Sequence, residues 1–242
     1  MDSSILLFLA VIITGVFSFL NFMNFQKFYT PTKWYCEYIR SLFPVLLFVF
    51  LVRSFFFEPF QIASSSMLPT LYSGDFVFVN KNIFPVINRN FLTFGLSGKL
   101  TRGDVIVFKN PLNKNLDVIK RIIGIPGDFI TYTNKNIFIN GHKLPETFIK
   151  TTYNTEIVLE NIDKNKYQLY NDPYYPTCVS YKQLFVPDHF YFVLGDNRDH
   201  SNDSRFWGFV PESYVIGRAF AVWMHWDHTQ ILPKFSSIRL IK

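Results

Sequence analysis

The rhythm of apolar and polar positions changes near residue 60. Before it the chain runs in long apolar blocks; after it, apolar residues come in short stretches cut by turn residues. Ile5 to Leu20 carries no charge and extends through Phe22 and Met23, to the roughly 20 residues a helix needs to cross a bilayer. A cleaved secretory leader is the competing reading. It fits poorly, because Asp2 stands where a leader carries Lys or Arg and no small-x-small site follows. A second run, Leu42 to Val52, is broken by Arg53 and resumes as Phe55-Phe56-Phe57. With Arg53 snorkelling to an interface, the segment from about Ser41 to Phe57 can also span, and Pro44 falls in its first turn.

Beyond residue 60 the stretches Asp75–Asn80, Asp104–Phe108, Asp117–Ile123, Phe190–Leu194 and Tyr214–Trp223 read as strands. Phe129–Thr133 and Ile137–Asn140, joined through Asn134-Lys135-Asn136, read as a hairpin. No helical apolar period is sustained after residue 60, so the expected class is mainly β. The domains expected are a first membrane helix at 1–24, a cytoplasmic loop at 25–40 and a second membrane helix at 41–59. A catalytic β core follows at 60–128 and 189–242, with an inserted β lobe at 129–188. Residues 80–103 read as an irregular excursion.

Composition sharpens this division. Of the first 60 residues 38 are apolar, whereas the remainder has an ordinary globular content; Phe follows the same split, with 13 of its 29 residues in the first 60. The segment between the apolar runs carries Lys27, Lys33 and Arg40 against Glu37, a net +2 that marks it as cytoplasmic. The N-terminus and everything after about Phe57 then lie on the far side of the membrane. Residues 54–242 keep a net +4 of the chain's +6 without a Lys/Arg tract, which argues against nucleic acid as a partner. Cys36 and Cys178 fall on opposite sides, so they form neither a disulfide nor a zinc-type pair.

Three segments of the far-side part carry candidate chemistry: Phe60-Gln-Ile-Ala-Ser-Ser-Ser-Met-Leu-Pro-Thr-Leu71, Lys120-Arg-Ile-Ile-Gly-Ile-Pro-Gly-Asp128, and the run from Gly195-Asp-Asn-Arg-Asp199 to Pro211. A serine needs a base to become a nucleophile, and a lysine serves only when neutral, so its pKa must fall through desolvation. In a strand, Val118, Lys120 and Ile122 share one apolar face. Strand pattern alone leaves two readings of Lys120 open: a buried base, or a residue at a strand edge snorkelling outward. His225-Trp-Asp-His228 could be half of a metal site but lacks the third ligand catalysis would need. Asp199-His200-Ser201 invites a triad reading, yet neighbours along a chain cannot point at one another.

These segments, with Arg102-Gly-Asp-Val-Ile-Val-Phe108 among them and in this order, resemble those of the bacterial type I signal peptidases. The resemblance implies a membrane-bound serine endopeptidase with a Ser/Lys dyad that removes signal peptides from exported preproteins after Ala-x-Ala-type ends. It implies Ser66 as nucleophile and Lys120 as general base. Ser64 would add its hydroxyl to the oxyanion hole, and Ser201 would orient the lysine. Ile62, Leu71 and Ile119 would line the substrate pockets; Asp196, Asp203, Arg121 and Arg205 would brace the site. No metal or cofactor is implied. The partners implied are signal peptides and the lipid bilayer, with the secretion translocon left open, at the outer face of the bacterial inner membrane. Three positions depart from the family pattern: Ser65 where Gly is common, Ala63 where Pro is frequent, and His200 where Asn is usual. Two rivals are a self-cleaving repressor-type Ser/Lys protease, disfavoured by the two spans, and a catalytically dead membrane scaffold, disfavoured by the joint presence of Ser66, Lys120 and Ser201.

Overall fold

The structure is a computed structural model that describes residues 3–23, 34–55, 57–80, 99–153, 155–176, 180–227 and 232–241. It divides into two compact units, Met1–Glu58 and Pro59–Lys242. Most of the 80–103 excursion, and Cys178 and His228, lie outside the described residues.

The first unit pairs two helices, α1 (Ser3–Met23) and α2 (Trp34–Phe55). Their close approach depends on Gly15, where an added Cβ would lie 2.8 Å from the Phe43 ring. Phe8 and Phe50 meet nearby, with ring centroids 5.7 Å apart. Outward-facing Leu6, Ile13, Phe19, Val45 and Phe48 are exposed and apolar. Among the described residues no helix is long and apolar enough to cross a membrane; the continuous runs of described side chains are Leu6–Leu20 and Ser41–Leu51. The second helix differs from the sequence expectation at both ends. It starts at Trp34, so Glu37 and Arg40 belong to the helix and not to the loop at 25–40, and Pro44 lies in its interior. It stops at Phe55, four residues before the expected end at 59, because Pro59 disfavours a helical conformation at Glu58.

From Phe57 onward the regular structure of the described residues is almost entirely strand. The first seven are β1 (Phe57–Gln61), β2 (Asp75–Asn80), β3 (Val105–Lys109), β4 (Asp117–Gly124), β5 (Phe129–Thr133), β6 (Asn136–Ile139) and β7 (His142–Lys143). Then come β8 (Glu146–Thr152), β9 (Thr155–Ile162), β10 (Asn165–Asn171), β11 (Tyr181–Phe185) and β12 (Phe190–Leu194). A single helical turn, α3 (Ser204–Trp207), precedes β13 (Val210–Pro211), β14 (Val215–His225) and β15 (Arg239–Leu240). The main sheet runs β1-β2-β14-β3-β4-β12-β13, with β15 on β14. Two smaller sheets, β10-β9-β8 and β11-β5-β6-β7, occupy the stretch expected to form the inserted lobe.

Strands β3 and β4 are buried on both faces, which explains their continuous apolar runs. Val105, Val107 and Ile119 pack into one cluster with Ile62, Met67, Leu71 and Val77. Ile106, Phe108 and Ile122 pack into another with Tyr191, Val193 and Val210. The smaller sheets do not build an independent core: Ile130, Ile137, Val158, Ile162, Tyr167 and Leu169 share one cluster with Ile123, Phe192 and Leu194. Pairing between β4 and β12 is confined to Arg121, Ile122 and Gly124, whereas β3 pairs with β4 over 117–121. Residues 117–120 therefore keep one edge that β12 does not use.

Because Ile122 is fully buried between packed strands, Ile122→Ala is expected to cost about 2–5 kcal/mol. Leu112→Ala, at an exposed position, is expected to stay within about 0.5 kcal/mol. Chemical denaturation of the detergent-solubilised chain reads both, and equal losses would contradict this core.

Candidate active site

Ser66 is presented by a tight turn between β1 and β2. Met67 and Leu71, both fully buried, anchor that turn in the core, and Leu68 N–H donates to Ser65 O at 3.2 Å and Leu71 N–H to Met67 O at 2.9 Å. Lys120 comes from β4, on the same strand face as Val118 and Ile122 as its alternation requires. Both side chains are buried, and Lys120 Nζ and Ser66 Oγ are in hydrogen-bond contact. Of the two readings the sequence left open for Lys120, the structure takes the buried one. Burial pulls the Lys120 pKa down from 10.5 to about 8; Asp203 and Asp196 oppose the fall and Arg205 assists it. Ser64 Oγ lies 3.2 Å from Ser66 Oγ.

The segment from Gly195 to Arg205 closes over this pair. Asn197 N–H donates to Ser66 O at 3.0 Å and Asn197 Nδ2 to Ser65 O at 3.1 Å. Gly195 is required by close approach: an added Cβ would sit 2.2 Å from Ser201 Oγ and 2.5 Å from Ser66 O. Arg121 forks onto Asp196 at 2.8 and 2.7 Å, Thr70 Oγ1 also donates to Asp196 at 2.5 Å, and the Arg121 guanidinium lies 3.8 Å from the Tyr167 ring centre. Asp203 accepts from Gly195 N–H at 3.0 Å and from Arg205 at 2.8 and 2.9 Å. These bonds carry buried charges that would otherwise be costly to desolvate.

A groove of about 440 Å³ opens on Ser66 and Lys120, walled by Phe60–Ser65 on one side and Leu116–Ile119 on the other, with Val107, His200, Asn202 and Trp207 completing it. Ile62 and Ile119 line it as expected. Leu71 does not: it is fully buried in the cluster behind Ile62, because the turn after Ser66 directs it inward. Ser201 Oγ and Ser66 O both lie beside Gly195, but among the described residues the buried Ser201 hydroxyl has no hydrogen-bond partner, and the expected bond to the lysine is not formed. Asp199 bonds Lys135 at 3.0 Å and Asp172 N–H at 2.7 Å, not His200. His225 Nδ1 lies 2.8 Å from Asp75 Oδ1, and among the described residues no group of three or more His, Cys, Asp or Glu could hold a metal.

Sequence reasoning missed Asn197, although it lies within the Gly195–Asp199 motif. It also missed Glu160, Tyr167 and Arg198. The first two fall in the polar 129–188 stretch, which carried no recognisable signal.

The family described as signal peptidase, peptidase S26, matches residues 35–226. A signal peptidase I of Pseudomonas fluorescens is 41% identical over 85% of this chain and 79% of its own length. That of Pseudomonas aeruginosa is 38% identical over 85% and 78%. A crystal structure of a signal peptidase I from Enterococcus faecalis V583 is 34% identical, covering 50% of this chain and 96% of that one, with a TM-score of 0.33. The chain belongs to the signal peptidase family, peptidase S26. It is a serine protease of the signal peptidase I type, a hydrolase that cleaves signal peptides.

The buried lysine couples stability to pH. Below pH 8 the folded chain holds a disfavoured ammonium, at a cost of about 3 kcal/mol. Between pH 8 and 10.5 the unfolded chain still binds a proton that the folded chain has lost, so stability rises with pH; above that window the cost is gone. Lys120→Met is therefore expected to exceed the parent by up to about 3 kcal/mol at pH 7. The gap should close by about pH 10.5; denaturation at a series of pH values reads it, and a constant gap would refute the burial cost.

Proposed function

We propose that the chain is a membrane-anchored endopeptidase in which Ser66 attacks the scissile carbonyl and Lys120 is the general base. The contact between the buried Lys120 amine and the Ser66 hydroxyl carries this reading. A neutral amine takes the hydroxyl proton as the C–O bond forms and returns it to the leaving amine as the C–N bond breaks; water then repeats the attack on the acyl-enzyme. Ser64 Oγ, 3.2 Å from Ser66 Oγ, is placed to share the developing oxyanion with the Ser66 N–H. Ser201 orients the lysine only after its hydroxyl rotates toward the amine, since among the described residues it has no partner as it stands. Arg121, Asp196, Asp203 and Arg205 hold the loop and do no bond chemistry.

The substrate lies extended in the groove beside residues 117–120, whose second edge β12 leaves unused. Ile62 and Ile119 line the groove, and alternate small side chains of an extended Ala-x-Ala end would lie against them. The two helices serve as membrane spans. The support for this is in the sequence, where the run from Ile5 to Met23 carries no charge and about 20 residues of helix match a hydrocarbon layer of about 30 Å. Lys27 and Lys33 in the connection put that end in the cytoplasm and the catalytic unit on the outer face of a bacterial inner membrane. A substrate tethered by its own apolar segment is then concentrated in the same plane.

Purified chain in detergent is expected to cleave a preprotein with an Ala-x-Ala end, and Ser66→Ala or Lys120→Ala to lower the rate by at least about a thousandfold. Loss of cleavage in Ser65→Ala with retention in Ser66→Ala would move the nucleophile. The rate should climb about tenfold per pH unit on the acid side and level off above about pH 8, where Lys120 is neutral. An acid optimum would remove Lys120 as the base.

A further inference from the structure

The segment over the Ser66–Lys120 pair is gripped from its other side by β9 and β10. Glu160 on β9 is fully buried and pairs with Arg198 at 2.5 Å. The Tyr167 hydroxyl on β10 donates to the same Glu160 oxygen, and the Tyr167 ring lies under Arg121. Tyr170 N–H donates to Asp196 O at 2.9 Å, and Tyr170 and Asn197 form an isolated parallel bridge. Asn197 in turn bonds the carbonyls of Ser65 and Ser66. Arg198 O accepts from Arg205, which is bonded to Asp203. A continuous path of bonds thus leads from Glu160 to Ser66, through the Arg198 backbone and Asn197, and a second path through Arg198 O and Arg205 reaches Asp203, one of the charges acting on Lys120.

This arrangement is poorly suited to mere stabilisation. Among the described residues Glu160 Oε1 and Arg198 Nε are buried without a partner, a loss that an apolar contact between the same strands would avoid. What a buried carboxylate supplies and an apolar contact does not is direction, because it holds one arginine in one place.

We propose that Glu160 is a positioning residue for the reaction, acting through Arg198 on the Gly195–Arg205 segment to hold Ser66 and Lys120 in register; this rests on the Ser66–Lys120 reading above. The small β8–β10 sheet is then part of the catalytic apparatus, although none of its residues lines the groove. The groups facing Glu160 are Arg198 from the segment, Tyr167 from β10, Arg121 from β4 and Glu146 from β8. Those acting on Lys120 are Asp203, Asp196 and Arg205, all three tied to the same segment or to Arg121.

Glu160→Gln keeps the shape and removes the charge that fixes Arg198. Steady-state cleavage of a preprotein in detergent, followed across pH, tests it. The expected result is a kcat at least about tenfold lower with KM within about twofold. The midpoint of the acid limb should move upward by about half a unit or more as the loosened segment admits water to Lys120. Tyr167→Phe, which removes one hydrogen bond to Glu160 and keeps the ring under Arg121, should give a smaller change in the same sense and covers the case in which Glu160→Gln does not fold. A lower melting temperature with unchanged kcat and an unchanged or lowered midpoint would make Glu160 structural only and overturn the proposal. If instead Ser66→Ala cleaves like the parent, it is the Ser/Lys reading that fails, a result distinguishable from the first.

Discussion

A lysine amine kept out of water is the constraint on which the rest of this structure depends. In the proposed role Lys120 works as a base only when neutral, and burial is what brings the loss of its proton down to about pH 8. Burial requires that β4 be covered on both faces, that Met67 and Leu71 pin the Ser66 turn into the core, and that the Gly195–Arg205 segment close the top. Each of these brings polar atoms into the interior. The Arg121–Asp196 and Arg205–Asp203 pairs follow from that, since a segment so rich in charge stays inside only when its charges are paired.

The same constraint accounts for the shape of the substrate path. Ser66 and Lys120 sit where residues 117–120 of β4 lose their second strand neighbour, so the pair is covered by protein yet reached along an open strand edge. A peptide in that groove would complete the sheet with main-chain bonds while small side chains occupy the walls. The exposed apolar side chains of α1 and α2 are a separate feature, to which the proposed membrane anchoring gives a use.

Much of this was legible along the chain. β2, β5 and β12 fall on the expected residues because a period of two apolar positions, or a short apolar run between turn residues, survives in the sequence. The family motifs carried Ser66, Lys120, Ser64 and the paired charges. The start of α2 at Trp34 is not legible because Glu37 and Arg40 read as loop charge; nor are β8 and β10, because β8 is exposed along its whole length and β10 sets its buried Tyr167 and Leu169 among Asn, Lys and Gln. Leu71 was misplaced for a different reason. A leucine near a nucleophile reads equally as pocket wall or core, and only the turn decides which way it points.

By itself, then, the sequence determined the residue types available for chemistry and the local periods of strand and helix, because both are properties of neighbouring positions. Whether Lys120 is desolvated, that Asn197 holds Ser66, and that Glu160 and Tyr167 reach the active-site segment were decided only by the tertiary structure. Desolvation and hydrogen-bond partnership are set by groups that meet across distant strands, and no local pattern records which groups those will be.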